Sequence, residues 1–241
     1  MRISLLGVVV LLAVTSSSLA VADDGPGPFG VTADAPASAA TARVGAIFRG
    51  GLSSGHFCTG SVVRSRGHDL VVTAAHCLDE GGDLVFVPGY RDGKAPYGVW
   101  KVGKAYVPGR WDGGERGEDS DVAFARVERK DGRGVQDVVG GNVFAPHRAT
   151  GATAVTVTGY AKSSSTPITC TNKPTAHNST QQRIACPGFS GGTSGSPWVN
   201  GDGQVVGVLG GHEEGGATDD ISYSVVFGEE AVRLYRAADG E

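Results

Sequence analysis

The stretch DLVVTAAHC, residues 69–77, runs from an apolar β-strand pattern directly into a histidine followed by a cysteine. If Cys77 is paired with Cys58, a histidine at the end of that strand has its backbone held on both sides. A general base needs such placement, because an error of about 1 Å can lower a rate roughly a hundredfold. Taken alone, a histidine beside a cysteine in a strand is more often structural. The stretch therefore makes His76 a candidate base that other motifs must support.

A second stretch, GGTSGSPW at residues 191–198, places Ser194 among glycines. Glycines let the backbone turn sharply and let a substrate approach closely. The amides of Gly192 and Ser194 can then converge on one oxygen as an oxyanion hole. A flexible Gly/Ser linker is the alternative, but linkers do not usually continue into a Trp-Val strand. The stretch predicts a nucleophilic serine.

The third stretch, DSDVAFA at residues 119–125, is an acidic turn entering an apolar strand. Such a pattern is commonplace by itself and becomes informative through order. His76, Asp121 45 residues later and Ser194 73 residues after that have the order of a chymotrypsin-type triad, unlike the subtilisin or α/β-hydrolase orders. Asp119 is the competing acid. The order and spacing alone leave both acids open.

These stretches together resemble the trypsin/chymotrypsin-type serine peptidases, most closely the bacterial secreted branch that includes the glutamyl endopeptidases. The resemblance covers roughly residues 43–236, and its motifs are specific when taken jointly. The matching segments are HFCTGS at 56–61, TAAHC at 73–77, DVA at 121–123 and GTSGSP at 192–197.

The resemblance implies two six-stranded antiparallel β-barrels with the substrate cleft between them. His76 and Asp121 would come from the first barrel and Ser194 from the second. The resemblance favours Asp121 over Asp119 as the acid, because Asp121 directly precedes the Val-Ala-Phe strand. Cys58–Cys77 would be the family's histidine-loop disulfide. The implied activity is a secreted serine endopeptidase that acts on proteins or peptides without a cofactor.

The chain also departs from the digestive members of that family. Thr193 stands where they carry an aspartate that pairs with the newly cut N-terminus, so the family's usual zymogen switch has no acceptor here. Ser190 replaces a cysteine that normally precedes the nucleophile. The sequence VGAI at 44–47 stands in place of an Ile-Val-Gly-Gly start.

The substrate pocket is less clearly specified by the sequence. Gly188 lies six residues before Ser194, where trypsin-like members place an aspartate, so the pocket should not favour Lys or Arg. Its other walls are predicted to come from Gly210, Gly211 and Ile221, and Ile221 would shorten it. His212 has two interpretations: a group that receives an acidic substrate side chain, or a solvent-exposed residue at the rim.

Composition favours an all-β protein. Glycine is frequent, with 39 of 241 residues, and charged residues make up only 19%. Short β-branched runs recur between turn clusters. One helix is predicted at 229–238. The predicted strands are 43–48, 57–63, 69–74, 83–87, 100–107, 122–127, 153–158, 182–185, 204–209 and 222–227.

The N-terminus is predicted to lie outside the peptidase domain, 43–241. Residues 1–22 combine Arg2, an apolar run of about ten residues and a small-residue end, which is typical of a signal peptide and too short for a membrane span. Residues 23–42 contain almost no large apolar side chains and are predicted to be a propeptide or a flexible lead-in.

Within the domain we predict a first barrel over about 43–140 and a second over about 141–228. Residues 161–181, rich in Ser, Thr, Lys and Pro, are expected to be a long surface loop.

Four cysteines and an export signal predict disulfides. Pairing of sequence neighbours, Cys58 with Cys77 and Cys170 with Cys186, is the simplest of three connectivities, and each would stabilise the fold by about 3 kcal/mol. A zinc site is the alternative, but no C-x-x-C pair is present, so we predict no metal.

The formal net charge of −4 becomes −5 without Arg2, and the sequence has no basic stripe, which argues against nucleic acid as a partner. We expect a secreted, extracellular monomer that does not bind membranes after signal cleavage.

Two functions compete: an active endopeptidase and a catalytically silent relative used for binding. Silent relatives usually lose one triad member, and this sequence retains all three. The sequence therefore favours the enzyme.

Overall fold

The structure, a computed structural model, describes residues 28–78 and 81–240. It is mostly β, as the composition predicts, and each of the ten predicted strands lies on an observed strand with its ends shifted by at most two residues. Short 3₁₀ turns lie at Leu52–Ser54, Ala75–Cys77, Glu115–Ser120 and His212–Gly215. The strands and helices are β1 (Thr32–Asp34), α1 (Ala39–Ala42), β2 (Val44–Arg49), β3 (His56–Val63), β4 (Leu70–Thr73), β5 (Leu84–Pro88), β6 (Trp100–Tyr106), β7 (Ala123–Val127), α2 (Val135–Val139), β8 (Val143–Phe144), β9 (Val155–Gly159), β10 (Ile168–Asn172), β11 (Thr175–Ala176), β12 (Gln181–Ala185), β13 (Pro197–Asn200), β14 (Gln204–Val208), β15 (Ile221–Val225) and α3 (Glu229–Asp239).

The first half of the chain forms a closed antiparallel barrel in the order β2-β3-β4-β7-β6-β5. Alternate residues of these strands point inward, because side chains along a strand alternate between its two faces. Gly45 leaves room for this packing, since a Cβ there would lie 2.5 Å from the Phe86 ring. The interior is apolar and includes Ile47, Val62, Val71, Phe86 and Trp100.

The second half, joined by β1 from the N-terminal segment, forms a six-stranded sheet, β1-β10-β9-β13-β14-β8, and a three-stranded sheet, β11-β12-β15. The sheets are linked where Gly210 N donates to Tyr223 O at 2.9 Å and Val208 N donates to Ser224 Oγ at 3.0 Å. Their shared core is built around buried Trp198. This arrangement is consistent with the expected second barrel, and the all-β fold is confirmed.

The predicted C-terminal helix is present as α3. Its Ala231 and Ala238 are buried against the core. The Tyr235 ring stacks on the Phe144 ring with centroids 4.8 Å apart and meets Phe124 edge-on at 5.7 Å. Burial of this one face explains why the helix forms on the surface of a β protein.

The expectation that the N-terminal segment does not order itself is wrong for residues 28–42. Strand β1 pairs antiparallel with β10, with Thr32 opposite Cys170. Helix α1 follows, with a capping box between Ser38 and Thr41. The compositional argument considered side-chain burial alone, whereas this segment is held by backbone hydrogen bonds to a sheet edge.

The expectation of a long surface loop at 161–181 is also wrong. Strand β10 lies inside it, between β1 and β9, and β11 pairs with β12. Threonines of β9 and β10 are hydrogen-bonded in cross-strand pairs, for example Thr156 with Thr171. Thr is a good strand former even where the sequence is polar, which the hydrophobic pattern could not reveal.

Both disulfides join sequence neighbours, with 6.0 Å between the Cα atoms of each pair. Cys58–Cys77 ties β3 to the turn after β4. Cys170–Cys186 ties β10 to the segment after β12. The predicted signal peptide, residues 1–22, lies outside the described residues. None of the described helices is long and apolar enough to span a bilayer.

Candidate active site

His76 lies in the 3₁₀ turn Ala75–Cys77 directly after β4. The Cys58–Cys77 disulfide holds the turn on its C-terminal side, and β4 holds it on the other, as the sequence suggests. The imidazole is largely buried, with 14% of the side chain exposed. The ring is therefore held in one place with an edge left open to solvent or substrate.

Asp121 follows the 3₁₀ turn Glu115–Ser120 and is completely buried. Its Oδ2 accepts from His76 Nδ1 at 2.8 Å and from Gly211 N at 2.7 Å, and its Oδ1 accepts from His76 N at 3.0 Å. Gly210 permits this approach, because a Cβ there would lie 2.6 Å from Oδ2. Since a carboxylate only accepts hydrogen bonds, Nδ1 carries the proton and Nε2 keeps its lone pair.

Asp119 faces away from His76. Its Oδ1 accepts from Thr180 Oγ1 at 2.6 Å and from Gln181 Nε2 at 2.9 Å. These two hydrogen bonds, that from Thr180 first, hold the pKa of the Asp119 carboxyl below its usual value. Of the two acids in the DSD turn, only Asp121 contacts the histidine.

Ser194 lies in a sharp turn that packs against the first barrel, where Ser194 O accepts from Thr59 N at 2.7 Å. Gly195 makes this possible, since a Cβ there would lie 2.1 Å from both Thr59 O and Thr73 Oγ1. Among the described residues, no hydrogen bond joins Ser194 Oγ to His76 Nε2. Catalytic hydrogen bonds of this kind commonly tighten only when substrate binds.

Two backbone amides beside Ser194 are without an acceptor. Within residues 28–78 and 81–240, neither Gly192 N nor Ser194 N donates a hydrogen bond. Gly192 is buried and Ser194 is half-buried. Buried N–H groups are rarely left unpaired, so a pair of them next to a candidate nucleophile indicates a place prepared for an oxygen.

Four of the predicted pocket residues lie on hydrogen-bonded segments of the second half. Ile221 of β15 pairs with Ala185, three residues before Gly188. Gly210 donates to Tyr223 O on the same strand β15, and Gly211 contacts Asp121. Gly210 thus meets β15 two residues from Ile221, and Gly188 lies three residues beyond Ala185, the partner of Ile221.

His212 is held in a ring cluster rather than standing free at the rim. Its Nδ1 is 3.2 Å from Glu118 Oε2, and its amide donates to Gln181 Oε1 at 2.8 Å. The ring stacks on His177 with centroids 4.9 Å apart and meets Tyr223 edge-on at 4.8 Å. Both interpretations from the sequence missed Glu118, which is 94 residues away in the chain.

Candidate ligand atoms of Cys58, His76 and Cys77 lie within 4.8 Å of one another. Both sulfurs are bonded to each other, so they offer no thiolate to a metal ion. On the open side of His76, the Trp111 ring lies 6.3 Å away, centroid to centroid. The site offers acid–base and nucleophilic groups with an apolar flank.

Residues 58–208 match the family model described as a trypsin-like peptidase domain. The chain belongs to the trypsin-like peptidases. It is therefore a serine peptidase, a hydrolase whose substrates are peptides or proteins. None of the curated proteins matches this chain.

Solved structures support the same assignment of this trypsin-like peptidase. The protease Anisep from Arthrobacter nicotinovorans is 27% identical with a TM-score of 0.75, covering 88% of this chain and 100% of the other. A thermostable serine protease from an extremophilic microorganism is 26% identical with a TM-score of 0.73, covering 84% and 99%. A Glu endopeptidase, 17% identical with a TM-score of 0.70 over 89% and 99%, shares the fold.

The environment of His76 sets a pH dependence for this peptidase. Burial lowers the pKa of the His76 ring, but the hydrogen bond that the ring donates to Asp121 and the negative charges of Asp121 and Glu214 outweigh it, so the pKa lies above its ordinary value of 6.5. Only the neutral imidazole can take a proton from a serine. If His76 is the general base, activity should therefore fall as the pH drops through that raised pKa.

We expect the acid limb of kcat/KM to have its midpoint above pH 6.5. Glu214→Gln should move the midpoint down, because the exposed Glu214 carboxylate stabilises the imidazolium. Glu229→Gln, on the surface beside His147, is the matched control and should leave it in place. An identical midpoint in the wild type and Glu214→Gln would refute this role of Glu214.

Proposed function

We propose that this trypsin-like peptidase is a secreted serine endopeptidase with His76, Asp121 and Ser194 as its catalytic triad. The observation that carries the proposal is the buried Asp121 carboxylate, which accepts a hydrogen bond from His76 Nδ1 at 2.8 Å and so leaves Nε2 as the base. A structural histidine would not need its second nitrogen kept unprotonated, and the chain offers a glycine-flanked serine as the partner of that nitrogen.

The reaction follows from these roles. Ser194 Oγ attacks the scissile carbonyl carbon while His76 Nε2 takes the hydroxyl proton. The carbonyl oxygen becomes an oxyanion and accepts hydrogen bonds from the unpaired N–H groups of Gly192 and Ser194. His76 then passes the proton to the leaving amine, which leaves an acyl-enzyme. Water then attacks the acyl carbon while His76 Nε2 takes its proton. The imidazolium returns that proton to Ser194 Oγ as the acyl bond breaks, which releases the acid and free Ser194.

The proposed endopeptidase does not select Lys or Arg at the residue before the cut. Gly188 supplies no carboxylate, and Ile221 fills depth that a long basic side chain needs. A buried, unpaired cation costs several kcal/mol, which exceeds the roughly 1–3 kcal/mol that shape contributes among apolar side chains. His212 is engaged by Glu118, so an acidic substrate side chain would compete with a carboxylate already present. We therefore propose that the enzyme cuts after small or medium apolar residues.

Export is the second part of the proposal. Two disulfides in a chain of 241 residues favour an oxidising compartment. Because β1 is paired with β10 and Gly30 N donates to Ala185 O at 2.8 Å, we propose that residues 28–42 are retained after cleavage following Ala22.

The intact mass of the secreted protein should therefore correspond to a start between residues 23 and 28. A mature form that begins near residue 43 would contradict retention of the segment. The pairing of β1 would then belong only to a precursor.

One digest tests activity and pocket together. A peptide library incubated with the protein should be cut, and mass spectrometry should place the cuts after small or medium apolar residues and not after Lys or Arg. Ser194→Ala is the matched control and should produce no cuts. A dominant preference for Arg or Lys would overturn the pocket assignment, and cuts after Glu would show that the substrate carboxylate displaces Glu118.

Covalent labelling of the same two proteins identifies the nucleophile. A fluorophosphonate should react with the wild type at Ser194 and leave Ser194→Ala unlabelled. Labelling that persists in Ser194→Ala would refute the assignment of this serine.

A further inference from the structure

The nucleophile loop, residues 190–195, is held through its carbonyl groups. Gly191 O accepts from Lys162 N at 2.7 Å. Because a trans peptide is planar, its N–H points away from its C=O, so the Gly192 N–H must point away from Lys162. This contact therefore sets the direction of the first unpaired amide.

The second unpaired amide is set in the same way. Thr193 O accepts from Ser196 N at 3.0 Å, and the Ser194 N–H of that peptide points to the opposite side. Between the two lies the peptide that joins Gly192 to Thr193. Its orientation fixes how far apart the two unpaired amides lie and whether they converge.

Thr59 of β3 holds this middle peptide from the other barrel. Its Oγ1 donates to Gly192 O at 3.0 Å and accepts from Tyr160 N at 2.9 Å. Because Tyr160 N can only donate, the Thr59 hydroxyl must direct its own proton to Gly192 O. The Thr59 N–H also donates to Ser194 O at 2.7 Å, and the side chain is completely buried.

We propose that Thr59 is a positioning residue for the oxyanion hole, acting through the Gly192–Thr193 peptide. The inference rests on the proposed function, because it assumes that the unpaired amides receive the oxyanion. The Thr59 hydroxyl, 133 residues from Gly192 in the chain, thus aligns both amides with the transition state through the loop backbone.

Within residues 28–78 and 81–240, the hydrogen bonds of this loop come from backbone amides and hydroxyl groups and none from a charged side chain, so a neutral group must anchor it. Thr193 is buried and its hydroxyl donates only within the loop, to Ser190 O at 2.7 Å. That bond closes the turn but does not tie it to the first barrel. Thr59 supplies the connection with neutral hydrogen bonds that are present without a free α-amino group.

The test removes the hydroxyl and keeps the shape. Thr59→Val should lower kcat by about ten- to a hundredfold and change KM by less than about twofold, because a displaced oxyanion hole harms the transition state and not substrate binding. Affinity for a peptide boronic acid, whose tetrahedral adduct places an oxygen in the hole, should fall by the same factor as kcat. Thr59→Ser, which retains the hydroxyl, should restore both.

Ser61→Ala is the matched control. Ser61 lies on the same strand, and its buried hydroxyl accepts from Asn142 Nδ2 at 3.1 Å, away from the nucleophile loop. It should lose thermal stability and keep kcat. If Thr59→Val is recovered poorly, Thr59→Ser and Thr59→Ala can be compared instead. They differ only in the hydroxyl, so the ratio of their kcat values measures its contribution.

An unchanged kcat in Thr59→Val, or a loss confined to KM, would overturn the inference and leave the proposed function in place. A wild-type protein that neither cuts peptides nor reacts with a fluorophosphonate would overturn the proposed function, and this inference with it.

Discussion

His76→Ala is expected to lower kcat by about six orders of magnitude at neutral pH, because the members of a catalytic triad act as a unit. Without the imidazole, nothing takes the proton from Ser194 or returns it to the leaving amine. For the same reason, His76→Ala combined with Ser194→Ala should be no slower than either alone. Single-turnover and steady-state hydrolysis of one chromogenic peptide measure both effects.

His147→Ala is the control for loss of a histidine as such. His147 is half exposed and pairs with Glu229 on the surface at 3.2 Å. Its kcat and KM should equal those of the wild type. More than about 1% residual kcat in His76→Ala would exclude His76 as the general base, since general acid–base catalysis alone contributes about 10²–10⁴-fold.

Asp121→Asn is expected to lower kcat by about 10⁴-fold, the magnitude typical of losing the acid of such a triad. Three N–H groups point at the Asp121 carboxylate, two from His76 and one from Gly211. An amide cannot accept all three, because one of its ends is itself a donor. The imidazole would either turn or adopt the other tautomer, with the proton on Nε2.

Asp119→Asn separates this effect from a general loss of acidic charge. Asp119 accepts only from Thr180 and Gln181, and an amide oxygen can accept both hydrogen bonds. We expect kcat within about twofold of the wild type. Should Asp119→Asn be the inactive variant and Asp121→Asn the active one, the triad would have to be reassigned.

Asp121→Asn should also unfold at a lower temperature, because it leaves a buried donor without an acceptor. Circular dichroism of both variants measures the shift. Equal melting temperatures would show that the carboxylate does not anchor Gly211 and the segment behind it.

The sequence alone determined the features that depend on short stretches of chain. Alternating β-branched runs predicted the strands of the closed barrel, because side-chain alternation is a property of each strand. The spacing of the cysteines predicted the disulfides, and the resemblance in TAAHC and GTSGSP implied the family. In each case the information lies within about 20 residues of the chain.

Where the pattern was polar, the sequence was insufficient. Strands β1 and β10 exist because two segments far apart in the chain meet at a sheet edge and satisfy each other's backbone groups. No side chain in residues 28–34 predicts that pairing, because every residue type can form backbone hydrogen bonds.

The tertiary structure showed that the favoured acid, Asp121, is the one that contacts His76, and it alone decided what holds the site together. Asp119 and Asp121 are two residues apart in one turn, and the second half of the chain contacts both. Thr180 and Gln181 donate to Asp119, whereas Gly211 donates to Asp121. In the sequence Thr59 is an ordinary strand residue, and only the structure shows its hydroxyl donating to Gly192 O at 3.0 Å. Such contacts depend on how the two halves pack, and packing is a property of the whole chain that no local pattern encodes.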